Sequence, residues 1–173
     1  LTADEDHTAC VWDAISGDQI YVLQGSGIEA TADSRYFITW SSYGYGKIYE
    51  AATGRLLSSF GEEHARVYPC VAGGRIVLEL EGVITLTSIP SGKTERQFNI
   101  GNPVLRSLEC SADGQKMLTL NRGDSCVRVW DLNKGKMLWM LRTNKKNPDA
   151  VFDASGQRVI ISDPGPSCYN ASD

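Results

Sequence analysis

Ser111-Ala112-Asp113-Gly114-Gln115-Lys116, followed further on by Cys126-Val127-Arg128-Val129-Trp130-Asp131, is the stretch from which the fold is read. The first group holds residues that tolerate positive φ or bond their own backbone, which is the composition of a tight turn. The second is rich in β-branched and aromatic residues, the pattern of a short strand. At an offset of 42 the pattern returns: Ala112, Gly114, Gln115, Gly123, Ser125, Cys126 and Asp131 recur as Ala154, Gly156, Gln157, Gly165, Ser167, Cys168 and Asp173. A second turn, one that follows an apolar run, comes back along the chain as Ser16-Gly17, Thr53-Gly54, Ser91-Gly92 and Lys134-Gly135, at glycine spacings of 37, 38 and 43. A period of about forty residues is the mark of a repeat architecture.

Within each period the apolar residues fall in short runs: Tyr36 to Trp40, Arg75 to Leu80, Val83 to Leu86, Cys126 to Trp130 and Arg158 to Ile161. Asp33-Ser34, Gly73-Gly74, Asp113-Gly114 and Ser155-Gly156 punctuate them. No window carries an amphipathic helical pattern, so the chain reads as all-β. Each unit reads as four antiparallel strands, a to d, which in the fourth unit are Val104 to Ser111, Lys116 to Leu120, Val127 to Asp131 and Lys136 to Leu141. The units are expected at 1–25 (partial), 26–61, 62–100, 101–143 and 144–173 (partial). A sheet this small cannot bury both faces alone, so neighbouring sheets must stack face to face, as the blades of a propeller do.

The 173 residues are 42% hydrophobic and 22% charged, the balance of an ordinary soluble globular protein. The most apolar region, Arg75 to Ile89, is interrupted by Glu79, Glu81 and Gly82, well short of the roughly 20 apolar residues that cross a bilayer. No membrane partner is expected. A net charge of −4 argues against the basic surface that phosphate neutralisation requires, so nucleic acid is not expected either. The cysteines, Cys10, Cys70, Cys110, Cys126 and Cys168, leave one over after any pairing and sit in or beside apolar stretches. They read as buried thiols in a reducing compartment, hence a cytoplasmic protein. The chain opens at Leu1 with no charged-then-apolar leader and reads as an excerpt of something longer.

Cys10-Val11-Trp12-Asp13 and Val127-Arg128-Val129-Trp130-Asp131 resemble the Trp-Asp ending of strand c in WD40 repeats, and Ser111 to Lys116 resembles the turn that those repeats place between strands a and b. Tyr49-Glu50, Thr87-Ser88 and Ser172-Asp173 hold the Trp-Asp slot in the degenerate copies. The resemblance implies a propeller of which this chain is an incomplete ring, with other blades of the same parent protein as neighbours. It also implies a buried polar chain of Asp, hydroxyl and Trp in each blade. The first copy offers Asp6, Thr2 and Trp12. Counting back from the Trp slot gives Asp124 but Leu120 in the fourth copy, Thr39 but Tyr43 in the second and Ser162 in the fifth. No copy has the family's His in register. Trp12 and Trp130 are expected in the core, and core packing is the default for Trp40 and Trp139.

Catalysis requires acid, base and nucleophile within hydrogen-bond reach. His7 and His64 are the only histidines and neither has a spacing partner, and no Cys-x-x-Cys pair suggests zinc. No catalytic, metal or cofactor site is therefore assigned. Ser41-Ser42-Tyr43-Gly44-Tyr45-Gly46 opens a strand, not a helix, so it lacks the helix N-terminus that binds phosphate. Its two tyrosines instead offer amphipathic contact area on a turn; the alternative is a hairpin whose rings fold onto their own sheet. In WD40 proteins the b–c and d–a loops share one rim, which points to Tyr43, Tyr45, Glu62, Glu63, His64, Arg122, Lys145 and Lys146 as partner-binding residues. The run Thr143 to Asn147 reads first as a solvated turn. Asn170-Ala171-Ser172 fits the glycosylation pattern but is expected in a buried strand.

The function expected is that of a non-enzymatic scaffold whose rim loops bind protein partners. The alternative is a quinoprotein-like propeller enzyme binding a quinone cofactor. Asp131 to Trp139 fits the docking pattern of such enzymes in part, with Lys134 in place of the expected Thr; Tyr49 to Leu57 lacks the Trp.

Overall fold

The computed structural model describes residues 1–3, 7–68, 74–101, 104–162 and 166–171. Among them the protein is all-β, with antiparallel strands in five sheets. The first sheet runs β1 (Thr2–Ala3), β2 (Thr8–Trp12), β3 (Gln19–Gln24). The second runs β4 (Gly27–Ala30), β5 (Tyr36–Trp40), β6 (Tyr45–Glu50), β7 (Leu56–Gly61), and the third β8 (Arg66–Tyr68), β9 (Arg75–Leu80), β10 (Val83–Ser88), β11 (Thr94–Asn99). The fourth runs β12 (Leu105–Cys110), β13 (Lys116–Asn121), β14 (Cys126–Asp131), β15 (Lys136–Arg142), and the fifth β16 (Asp149–Phe152), β17 (Arg158–Ser162), β18 (Pro166–Asn170). The middle three sheets thus have all four strands, the first begins at strand b, and the fifth ends at strand c. No helix among the described residues is long and apolar enough to cross a membrane.

The chain divides into two compact units, residues 1–80 with 85–95 and residues 81–84 with 96–173. Strand alternation gives each sheet two faces, and burial shows what covers them. In the first unit Ala9, Val11 and Leu23 of the first sheet pack with Tyr49, Ile28 and Phe37 of the second. The opposite face of the second sheet, Ile38, Ile48 and Phe60, packs on Ala65, Ile76 and Leu78. In the second unit Leu118, Leu120, Val127 and Val129 pack on Ala150, Phe152, Val159 and Ile161. Ile38, Ile48 and Ile76 are completely buried, and each such side chain contributes roughly 1.5–3 kcal/mol relative to exposure.

Two turn devices recur. Between strands a and b, Thr31 Oγ1 donates to Asp33 Oδ1 (2.6 Å) and accepts from Tyr36 N (3.1 Å), while Asp33 Oδ1 accepts from Arg35 N (3.1 Å). Ser111 Oγ likewise donates to Asp113 Oδ1 (2.6 Å) and accepts from Lys116 N (2.9 Å), while Asp113 Oδ1 accepts from Gln115 N (3.0 Å). In the fifth sheet carboxylate and hydroxyl exchange places: Ser155 Oγ donates to Asp153, whose Oδ1 accepts from Arg158 N (3.0 Å), and Ser155 Oγ accepts from Gln157 N (3.2 Å). Between strands c and d, Asp13 Oδ1 accepts from Ile15 N and Ser16 N (each 2.8 Å), and Asp131 Oδ1 accepts from Lys134 N (2.9 Å).

The glycine of the c–d turn also receives a side chain from strand d of the preceding sheet. A Cβ at Gly54 would lie 2.7 Å from the Tyr21 ring, one at Gly92 2.9 Å from Ser58 Oγ, and one at Gly135 3.1 Å from Phe98. Tyr21 Oη donates to Ala52 O (2.9 Å) and Ser58 Oγ to Pro90 O (2.6 Å), in each case the carbonyl two residues before that glycine.

Four expectations are corrected. Trp12 is 41% exposed, on a face of the first sheet where Val22 is also exposed, whereas Trp130, on the matching face of the fourth sheet, is 8% exposed and lies in the core with Phe98 of the third sheet 6.3 Å from its ring. The cysteines are not uniformly buried thiols: Cys110 is disulfide-bonded, and of the free ones Cys126 is buried, Cys10 half-buried and Cys168 exposed. Asn170 is exposed, at the end of β18, so the glycosylation pattern is not in a buried strand. The fifth copy's Trp-Asp slot moves as well. Met117 pairs with Trp130 and Phe37 with Tyr49, and the matching Val159 pairs with Tyr169, so Tyr169-Asn170 takes the position expected for Ser172-Asp173. The reason is turn length, since Ser162 pairs directly with Pro166 across three residues.

Candidate functional site

Strands b and c are joined at the same end of each sheet at which strand d leads to the next strand a, and backbone hydrogen bonds tie the two connections together. Gly25 N donates to His7 O (2.8 Å), His64 N to Tyr43 O (2.9 Å), Ile100 N to Gly82 O (2.8 Å) and Asn147 N to Asp124 O (3.0 Å). His7, His64 and Asn147 adopt positive φ of 65°, 66° and 57°. Each pair of loops is therefore a fixed ledge.

In the first unit this ledge carries Tyr43, Tyr45, Glu62, Glu63 and His64. Tyr43 and Tyr45 are 60% and 51% exposed, so their rings do not fold away onto their own sheet. Gly44 between them has φ +91°, and a Cβ there would lie 2.3 Å from Glu62 O and 2.6 Å from Ala65 N. Only glycine permits that approach of one loop to the other. His64 Nε2 lies 3.9 Å from Glu63 Oε1, both side chains well exposed. In the second unit the ledge carries Arg122, Lys145 and Lys146. Lys145 Nζ reaches Asp149 Oδ2 (3.2 Å), which Arg106 also approaches through Oδ1 (2.9 Å). The Lys145 ammonium and the Arg106 guanidinium hold the Asp149 carboxyl below its ordinary range, the Arg106 hydrogen bond contributing most. Gly123 N donates to Asn147 Oδ1 (2.8 Å), which closes the loop pair beside Arg122.

A cavity of about 400 Å³ opens at the first unit's ledge, between β2–β3 and β5–β6. That volume lies within the range of small-ligand and side-chain pockets, about 300–1,000 Å³. Its walls include Trp40 and Tyr45, and its polar groups come from His7, Gln24, Thr39 and Lys47. Thr39 Oγ1 donates to Gln24 O (2.6 Å), His7 Nδ1 is hydrogen-bonded to Ser26 Oγ (2.8 Å), and Lys47 Nζ donates to Gln24 Oε1. Trp40 stands against Gly27, where a Cβ would fall 2.4 Å from the indole. Tyr45 is a candidate residue that the cavity takes in; Trp40, expected in the core, also packs against the Ile38 cluster and has an edge at the cavity, and Gln24 and Lys47 were not singled out from sequence. The signal available for them was Gly25, Gly27 and Gly46 gathered around strand ends, since interior glycines mark close approach.

The polar chain implied by the family resemblance has its hydroxyl where the sequence count puts it in the first and second sheets, at Thr2 and Thr39, and departs from the count in the fourth and fifth. Trp130 Nε1 donates to Thr119 Oγ1 (3.0 Å), not to a group at Leu120, and Trp12 Nε1 donates to Thr2 Oγ1 (2.8 Å). In both sheets the hydroxyl residue pairs with the residue two before the Trp, Arg128 and Cys10 respectively. Thr39 occupies the same place in the second sheet, but Tyr49 there offers no indole N–H. In the fifth sheet that place is held by Ile161, not Ser162. Asp124 bonds to Cys126 N (2.9 Å) and to Arg128 (2.9 Å). Asp6 lies outside the described residues.

No family model matches this chain, and no curated protein matches it.

Proposed function

We propose that the chain is part of a WD40-like propeller and acts as a non-enzymatic scaffold whose ledge of paired b–c and d–a loops binds protein partners. The observation that carries this is the pairing of exposure with fixation at Tyr43 and Tyr45: both rings face solvent, while the turn that bears them is pinned by His64 N to Tyr43 O and by the Gly44 contact. Rings presented in this way lose little conformational entropy on binding. Sheets repeating a four-strand order, with a shared c–d turn device, support the propeller reading.

The test is affinity capture from native extract with the wild-type chain and with Tyr43→Ala plus Tyr45→Ala. Partners retained by the wild type and lost from the double variant are the expected result, and identical captures would overturn the reading. The cytoplasm belongs to the same proposal. Free thiols at Cys10, Cys126 and Cys168 support it, while the disulfide at Cys110 pulls the other way. Alkylation of the native protein before reduction, read by mass spectrometry, decides: label on Cys110 keeps the cytoplasmic placement.

A further inference from the structure

We propose that the cavity beside Tyr45 is a specificity pocket for one carboxylate side chain of a bound peptide, flanked in that peptide by an apolar residue; this rests on the ledge being a protein-binding surface. Lys47 is a half-buried residue at the cavity, and its ammonium, at the exposed mouth, has the neutral amide oxygen of Gln24 as its partner. Among the described residues Lys47 makes no ion pair, and none of the residues lining the cavity is acidic. A lysine held by a neutral acceptor at a pocket wall lacks the counter-charge that would best satisfy it, and a charge-assisted bond from a ligand carboxylate is about twice as strong as a neutral one. His7 adds a second donor or acceptor, fixed in place by Ser26.

The walls decide what accompanies the carboxylate. Trp40 and Tyr45 present aromatic surface, which suits an aliphatic or aromatic neighbour and offers nothing to a second charge. The surroundings limit the number of acidic groups to one. Tyr45 pairs with Gly61, and Glu62 and Glu63 follow it on the adjoining loop, both exposed. The whole chain carries a net charge of −4. A polyacidic run would be repelled by both, whereas a single Asp or Glu reaching Lys47 would not be.

The test pans a randomised peptide display library against the intact chain and measures the best binders by calorimetry. Enriched peptides are expected to share one acidic residue beside an apolar one, and exchanging that Glu for Gln in the peptide should weaken binding about tenfold or more. Lys47→Met should lose the same factor and Lys47→Arg should retain most of the affinity, with circular dichroism melts confirming that both variants fold. No enrichment, enrichment of peptides without an acidic residue, or Lys47→Met binding as the wild type does would each overturn the proposal. If the tyrosine pair governs capture while Lys47 does not matter, the pocket assignment falls and the ledge stands. If neither matters, both fall.

Discussion

Thr119 and Thr2 make the same bond to a tryptophan in surroundings that give it different worth. Trp130 is buried with its partner, so Thr119→Val strands an indole N–H away from water, at about 1–3 kcal/mol. Trp12 is exposed and water can replace Thr2, so Thr2→Val is expected to shift stability by no more than about 0.5 kcal/mol. Urea denaturation of the two variants checks the difference. Glu109 gives a prediction of the opposite kind. Burial raises its pKa, against a weaker opposing bond from Phe152 N (3.2 Å). A raised carboxyl contributes stability below its ordinary pKa and loses it as pH rises through the folded value. Glu109→Gln should therefore melt higher than wild type at pH 7 and converge with it below about pH 4. Thr119 shows where sequence reading reaches its limit. The residue opposite a Trp is set by ladder register, and six residues separate the paired Leu120 and Val127 where five separate Trp40 and Gly46. A count made along the chain passes through the turn and inherits that extra residue.

The a–b turn was the most legible element, because its chemistry is local. A hydroxyl and a carboxylate two residues apart satisfy the same two backbone donors whichever comes first, and so Asp153-Ala154-Ser155 serves as Ser111-Ala112-Asp113 does. The Asp33 carboxyl is held below its ordinary pKa by the Thr31 hydroxyl and by Arg35 N, and Asp153 by Arg158 N and the Ser155 hydroxyl. At Asp113 burial opposes the shift, but the Ser111 hydroxyl and Gln115 N outweigh it. Lowered carboxyls contribute stability above their ordinary pKa and lose it as pH falls through the folded value. Thermal melts should consequently decline from about pH 4 downwards, and a variant with Asp33→Asn and Asp113→Asn should start lower at pH 7 and decline less. A melting temperature equally pH-dependent in wild type and variant would contradict this. The ledge was legible for a related reason: Tyr43, His64, Asp124 and Asn147 sit in turns whose partners are the adjacent turns of the same sheet and the loop beyond it. Lys47 was not legible, since its side chain meets Gln24 only once the first and second sheets are stacked, and the Trp40 contact with Gly27 follows from the register of β4 on β5, which is not written in either strand alone.

On the scale of the whole chain, the strand pattern and the repeat were visible from alternation and turn chemistry, whereas exposure at the first and fifth sheets was visible only as an argument about faces. Ile20 and Val22 on β3 are exposed beside Trp12, and Val151, Ile160 and Cys168 align across β16, β17 and β18 on an exposed face. Contiguous apolar surface of this kind promotes association. Multi-angle light scattering should report a mass that rises with concentration, and Val22→Lys with Ile160→Lys should return it towards that of a single chain. A concentration-independent monomer in the wild type would show that these faces do not associate.

The wedge that strand d of one sheet drives into the c–d turn of the next carries an evolutionary cost. Tyr21 over Gly54, Ser58 over Gly92 and Phe98 over Gly135 differ in bulk, so each socket is shaped for its own upstream guest. Exchanging one of these sheets for another would leave tyrosine where serine fits, so a rearranged chain would need both halves of each joint refitted together.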